Sequence, residues 1–121
     1  MSEKILIVDD DEDLLEIMAE RMGMRGMTVM PAATADEAFV LIEREAFDVM
    51  IIDFMLPGID GLQAIKTIRK MRPDLRIILQ TAYATTEKES EALAMGAWGV
   101  VEKPMDLDRL TRLIRKKSNS S

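Results

Sequence analysis

Residues 47–61 read F-D-V-M-I-I-D-F-M-L-P-G-I-D-G, and the fold turns on this stretch. Val49 to Ile52 is an unbroken apolar run with two β-branched isoleucines, the pattern of a strand buried on both faces of a parallel sheet. The run stops at Asp53, and Pro57-Gly58 followed by Asp60-Gly61 turns the backbone before the next helical pattern. A carboxylate at the carboxyl end of a central parallel strand points into the crevice where open α/β sheets bind ligands. Taken alone, the stretch also permits an Asp that merely begins a loop. The flanking sequence decides.

Upstream, Lys4 to Val8 (K-I-L-I-V) is a second apolar, β-branched run that ends directly in Asp9, Asp10, Asp11, Glu12 and Asp13. Leu14, Leu15, Met18 and Met22 then repeat at helical spacing, acidic residues in the first turn complement the helix dipole, and Gly23 and Gly26 are expected to close the helix. Met27 to Pro31 reads as a short strand. Thr34 with Glu37 is the signature of a capping box, opening a helix whose buried stripe would be Ala38, Phe39, Ile42 and Ala46. The Phe47 to Asp53 strand follows.

Downstream, Leu62, Ile65 and Ile68 mark a third helix that Pro73 terminates. Arg76 to Leu79 is a fourth strand running into Gln80 and Thr81. Thr86 with Glu89 suggests another capping box, for a Glu-rich helix whose thin apolar face is Ala92, Leu93 and Met95; Gly96 ends it. Trp98 to Val101 makes a fifth strand that leads into Glu102, Lys103 and Pro104. Asp106 starts a last helix carrying Leu107, Leu110, Leu113 and Ile114, which fades into a polar tail at about 117–121.

Five strands alternating with five helices imply an α/β fold: a parallel sheet with helices on both faces, because each return crossover is right-handed. The expected strand order is 2-1-3-4-5, which makes the first and third strands neighbours at the switch point. Asp9 and Asp10 then come beside Asp53, and Thr81 and Lys103 reach the same rim.

Composition narrows the chemistry. A chain of 121 residues suits one domain, spanning 1–121, with a core that needs no staple. Without Cys or His there are no disulfides, thiolates or imidazoles, so any chemistry runs on carboxylates, Lys, hydroxyls and backbone amides. The formal net charge of −6 argues against direct nucleic-acid binding by this domain and suits a cation. No apolar run approaches the roughly 18 residues of a membrane span, and the amino-terminal sequence lacks the regions of a signal peptide, so no membrane partner and a cytoplasmic location are expected. Eleven Met against three Phe, one Tyr and one Trp suggest a core filled by flexible side chains.

Three adjacent carboxylates repel one another unless a cation lies between them. An all-oxygen set suits Mg2+, which keeps several waters and takes one or two carboxylates plus phosphate oxygens. A carboxylate beside Mg2+, a Lys and a hydroxyl is what nucleophilic attack on phosphorus requires. Asp53 would be the nucleophile, Mg2+ and Lys103 would neutralise the transferring oxygens, and Thr81 would donate to one of them.

Along nearly its whole length the sequence resembles the receiver domain of two-component response regulators. I-L-I-V-D-D at 5–10 resembles the acidic pair, I-I-D-F-M-L-P-G-I-D-G at 51–61 the phosphorylation loop, L-Q-T-A at 79–82 the switch hydroxyl, and V-E-K-P at 101–104 the Lys-Pro end. The resemblance implies a flavodoxin-like (βα)5 three-layer sandwich and a bacterial phosphorelay protein. Asp53 would accept a phosphoryl group from a sensor histidine kinase or phosphotransfer protein, with Mg2+ bound by Asp10, Asp53 and the Met55 carbonyl, and by Asp9 mostly through water. The Lys103–Pro104 bond is typically cis in the family. Such a domain is a switch rather than an enzyme of external substrates, catalysing only its own phosphorylation and slow dephosphorylation. It passes the signal to an output domain or target protein, or to a homodimer formed through the fourth helix, fifth strand and fifth helix.

Four positions stand apart. The family usually carries an aromatic residue three places before the Lys, where this sequence has Val100; Trp98, two residues earlier, either supplies aromatic surface toward the fourth helix or is ordinary packing. Met55 and Tyr83, two residues after the acceptor and the hydroxyl, either shield the phosphorylated Asp53 from water or merely line the rim.

Rival readings fare worse. Asp9 to Glu20 imitates a calcium loop but has Leu14 where Gly is required. A phosphatase with an Asp nucleophile would place a second Asp two residues on, where Met55 stands and cannot transfer protons. No Gly-rich loop follows the first strand, which rules out a dinucleotide site. A phosphorylation-independent interaction module stays open as the alternative function, supported only by Val100. A stand-alone regulator and the front portion of a longer one both stay open.

Overall fold

A computed structural model describes residues 3–103 and 105–116; the Lys103–Pro104 bond and the tail at 117–121 lie outside the described residues. The elements, in order, are β1 (Lys4–Val8), α1 (Glu12–Met24), β2 (Thr28–Ala32), α2 (Ala35–Arg44), β3 (Val49–Asp53), β4 (Met55–Leu56), β5 (Ile59–Asp60), α3 (Gly61–Met71), β6 (Arg76–Thr81), α4 (Thr86–Ala94), β7 (Gly99–Glu102) and α5 (Leu107–Arg115).

The main sheet is wholly parallel with order β2-β1-β3-β6-β7. Counting its five strands in chain order, this is the expected 2-1-3-4-5 of a flavodoxin-like fold. Side-chain alternation along each strand builds two cores. Leu6, Met50, Ile52, Ile77 and Leu79 pack with Ala38 and Ile42 of α2, Ile65 and Ile68 of α3, and Ala92 of α4. Ile5, Ile7, Ile51 and Ile78 face the other way, onto Leu15, Met18 and Met22 of α1 and Leu110 and Ile114 of α5. The sheet is thus the middle of three layers. All five β3 residues are buried, and each isoleucine taken out of water there is worth about 1.5–3 kcal/mol.

Several local expectations shift. The fully buried large side chains are mainly Ile, while Met24 and Met55 are exposed, so β-branched residues rather than flexible Met fill the sheet core. Gly23 lies inside α1; the chain leaves the helix at Gly26, whose φ of 86° favours glycine. β2 begins and ends one residue later than expected. In α2, Thr34 caps the Glu37 amide at 3.1 Å, but Glu37 reaches back to the amide of Ala33 rather than to that of Thr34. Ala46 is exposed and lies past the helix end at Arg44. The α4 cap is Thr85, whose hydroxyl accepts from Lys88 N at 3.1 Å, one residue before the expected Thr86. Ala92 is the buried residue of α4, and Leu93 and Met95 are partly exposed, at 46% and 39%.

β4 and β5 form a small antiparallel hairpin directly after Asp53. Gly58 turns it with a φ of 82°, the positive value that a turn after Pro57 demands. Gly61 closes it against Phe54, donating to the Phe54 carbonyl at 3.0 Å. A Cβ on Gly61 would stand 2.7 Å from Phe54 Cα, so no other residue fits unless the backbone moves.

Candidate functional site

Because every main strand runs the same way, the carboxyl ends of β1, β3, β6 and β7 share one rim. Asp9 follows β1, Asp53 ends β3, Thr81 ends β6, and Lys103 follows β7. One carboxylate oxygen from each of Asp9, Asp10 and Asp53 lies within 4.8 Å of the others. Asp9 and Asp53 are buried and Asp10 is exposed. This all-oxygen set beside a water-accessible edge fits a hard divalent cation.

Lys103 reaches the cluster from the end of β7, the edge strand of the same sheet. Its ammonium is 2.8 Å from Asp53 Oδ2 and 2.9 Å from Asp9 Oδ2. Burial pulls the Lys103 pKa down, but the hydrogen bonds and charges of Asp53 and Asp9 outweigh that and hold it above its ordinary value. The ammonium is therefore charged at neutral pH, and it offsets the repulsion between two buried carboxylates.

The other oxygen of Asp53, Oδ1, accepts from the Met55 amide at 3.1 Å, which fixes the Met55 peptide at the edge of the site. Thr81 is buried, and its hydroxyl is engaged with its own loop: Oγ1 accepts from Tyr83 N at 3.3 Å and donates to Tyr83 O at 3.4 Å. The side chains of Met55 and Tyr83 are 74% and 76% exposed, so in this conformation both stand largely in water.

Val100 is buried among the core residues facing α4. Trp98 does not supply aromatic surface there. β7 begins at Gly99, so Trp98 precedes the strand and escapes its alternation; it packs in the opposite core, where its indole Nε1 donates to Leu113 O of α5 at 3.0 Å. The Arg76 guanidinium lies 5.4 Å from its ring centre. Ordinary packing against α5 is what the residue does.

Three site residues were not singled out from the sequence. Gln80, wholly buried, donates through Nε2 to Asp9 Oδ2 at 2.7 Å. Its signal was a polar residue inside the apolar run R-I-I-L-Q-T. Glu102 Oε2 accepts from the Ala84 amide at 2.7 Å, tying β7 to the loop after Thr81. Lys88 of α4 donates to Tyr83 O at 2.9 Å and sits 5.0 Å from the Phe54 ring centre. Neither of these has a local sequence signature.

The family model for the response regulator receiver domain matches residues 5–115. The response regulator protein FleR of Pseudomonas aeruginosa is 33% identical over 96% of this chain, which spans only 24% of FleR. The sporulation initiation phosphotransferase F of Bacillus subtilis is 30% identical, with 96% of this chain and 94% of the relative covered. Among solved structures, the response regulator TrrA of Thermotoga maritima, in complex with Mg2+-BeF, superposes with a TM-score of 0.82 at 31% identity over 93% of this chain and 96% of that one. No helix among the described residues is long and apolar enough to cross a membrane. The chain belongs to the response regulator receiver domain family and is a phosphorylation-dependent signalling switch.

Proposed function

We propose that Asp53 is the acceptor of this switch, taking a phosphoryl group from the phosphohistidine of a sensor kinase or phosphotransfer protein. The observation that carries the reading is the Lys103 ammonium joining Asp53 to Asp9, with Asp10 at the same point. An Asp53 carboxylate oxygen forms the bond to phosphorus while the donor's phosphorus–nitrogen bond breaks and the imidazole leaves. Asp10, Asp53 and the Met55 carbonyl would hold Mg2+, with Asp9 acting through water. When bound, Mg2+ supplies charge neutralisation for the oxygens in flight.

Lys103 provides the second positive charge and turns from the carboxylates toward the phosphoryl oxygens. Thr81 gives up its bonds to the Tyr83 backbone and donates to one of those oxygens. The loop must follow, and Glu102 and Lys88 carry the displacement into β7 and α4. With Val100 in place of an aromatic residue, these polar ties take over the readout. The surface of α4, β7 and α5, where Leu93 and Met95 are exposed, would meet an output domain, a target protein or a second copy of the chain. In this reading residues 1–121 act as one receiver unit, and water slowly hydrolyses the phosphorylated Asp53.

Amide shifts on adding Mg2+ and beryllofluoride, a phosphoryl mimic, test the reading. They are expected at Asp53, Thr81, Ala84 and residues 99–102; shifts confined to the acidic cluster would contradict the proposed route.

A further inference from the structure

Asp9 has no exposure to solvent, and a buried carboxylate needs donors at both oxygens. Oδ1 accepts from the Asp11 amide at 3.0 Å. Oδ2 has two claimants, Gln80 Nε2 at 2.7 Å and the Lys103 ammonium at 2.9 Å. Gln80 is itself wholly buried, and its Oε1 has no hydrogen-bond partner among the described residues. The amide cannot turn over to relieve this, since Oε1 would then face the carboxylate oxygen that already accepts from Lys103, acceptor against acceptor. An aliphatic side chain of similar size would leave no orphaned carbonyl. What the amide contributes is its donor to Asp9.

We propose that Gln80 is a positioning residue of the acidic site, holding the Asp9 carboxylate in place so that Lys103 can leave it for the phosphoryl oxygens on Asp53. This rests on Asp53 being the acceptor. As Lys103 turns away, Asp9 Oδ2 loses one donor and keeps the other. Without Gln80 the buried oxygen would be left unpaired and would hold the ammonium back. The same bond keeps Asp9 beside Asp10 and Asp53, where a cation is to be bound. Gln80 is also anchored to the acceptor through the backbone: it pairs in register with Asp53, and its carbonyl accepts from Phe54 N at 2.7 Å. An amide so fixed has little freedom to follow Lys103.

The first test uses the native chain. One side-chain amide proton of Gln80 should resonate away from the free-amide range and stay there through addition of Mg2+ and then beryllofluoride. Collapse of both protons to free-amide values with the mimic would overturn the proposal. The second test is Gln80→Met, with Gln80→Leu as its replicate. Mn2+ binding followed by electron paramagnetic resonance should weaken about tenfold, as for removal of a partner that orients a metal ligand. In an Asp9→Ala background the same substitution should cost much less, because the two act as a unit. Unchanged Mn2+ affinity, or equal losses in both backgrounds, would overturn it. A native chain that takes no phosphoryl group from acetyl phosphate and Mg2+ brings down the acceptor reading and this proposal with it. A chain that is phosphorylated normally, with Gln80 released or Gln80→Met indistinguishable from native, brings down the role of Gln80 alone.

Discussion

The Lys103 ammonium lies 2.8 Å from Asp53 Oδ2, so the candidate acceptor is held by a cation from a strand 50 residues away. The same ammonium neutralises Asp9, and removing it leaves two buried carboxylates facing each other. Breaking a fully buried pair costs about 3–5 kcal/mol; Lys103 keeps some solvent contact, so Lys103→Met is expected to cost about 2 kcal/mol at neutral pH. Added Mg2+ should recover part of that loss. Urea unfolding with and without Mg2+ checks both.

A divalent ion that binds only the folded chain must stabilise it. Thermal unfolding of the native protein should shift upward with Mg2+, reaching about 2.7 kcal/mol when the ion is at about 100 times its Kd. Asp10 is exposed, so Asp10→Asn should leave the metal-free melting temperature nearly unchanged and remove most of the Mg2+-dependent rise.

Gly61 has backbone of Phe54 where a side chain would go. Gly61→Ala should therefore destabilise by about 1–3 kcal/mol through overpacking. The displaced hairpin follows Asp53 directly, so phosphorylation by acetyl phosphate should slow as well. Unfolding and phosphorylation rates measured on one preparation test both effects.

Trp98 is tied to α5 through Leu113 O. Trp98→Phe removes that bond and is expected to cost about 1 kcal/mol while leaving phosphorylation of Asp53 intact. Denaturant unfolding, together with the phosphorylation rate, separates this structural role from a switching one.

Glu3 and Arg115 join the two ends of the described chain, with Arg115 Nε 2.7 Å from Glu3 Oε2. The Arg115 hydrogen bond holds the Glu3 carboxyl below its ordinary value of 4.5 despite some burial. A depressed carboxylate stabilises the fold above its unfolded pKa and loses that contribution as pH falls through the folded one. Arg115→Gln should therefore melt below the native chain at pH 7, and the gap should narrow in acid below the ordinary Glu range, leaving the part due to the bond from Arg115 to Arg25 O.

The sequence makes the centre of this protein legible and its edges less so. Unbroken apolar runs at Ile5–Val8 and Val49–Ile52 mark β1 and β3 because both faces of a central parallel strand are buried. β2 is half-exposed, so its pattern is weaker and its ends shift. The β4–β5 hairpin has two residues per strand, too few for any periodicity. The Asp9, Asp10, Asp53, Thr81 and Lys103 set follows from strand ends alone. Gln80 was missed because its partner Asp9 is 71 residues away, and the two readings of Trp98 stayed open because one residue of strand boundary, here a start at Gly99, decides which core a side chain enters.

Asp53 as phosphoryl acceptor is tested most directly by intact mass after incubation with acetyl phosphate, with and without Mg2+, for the native chain and Asp53→Asn. The account predicts a single Mg2+-dependent phosphoryl adduct on the native chain and none on the variant. An adduct of the same yield on Asp53→Asn, or no adduct on the native chain with Mg2+ present, would contradict it.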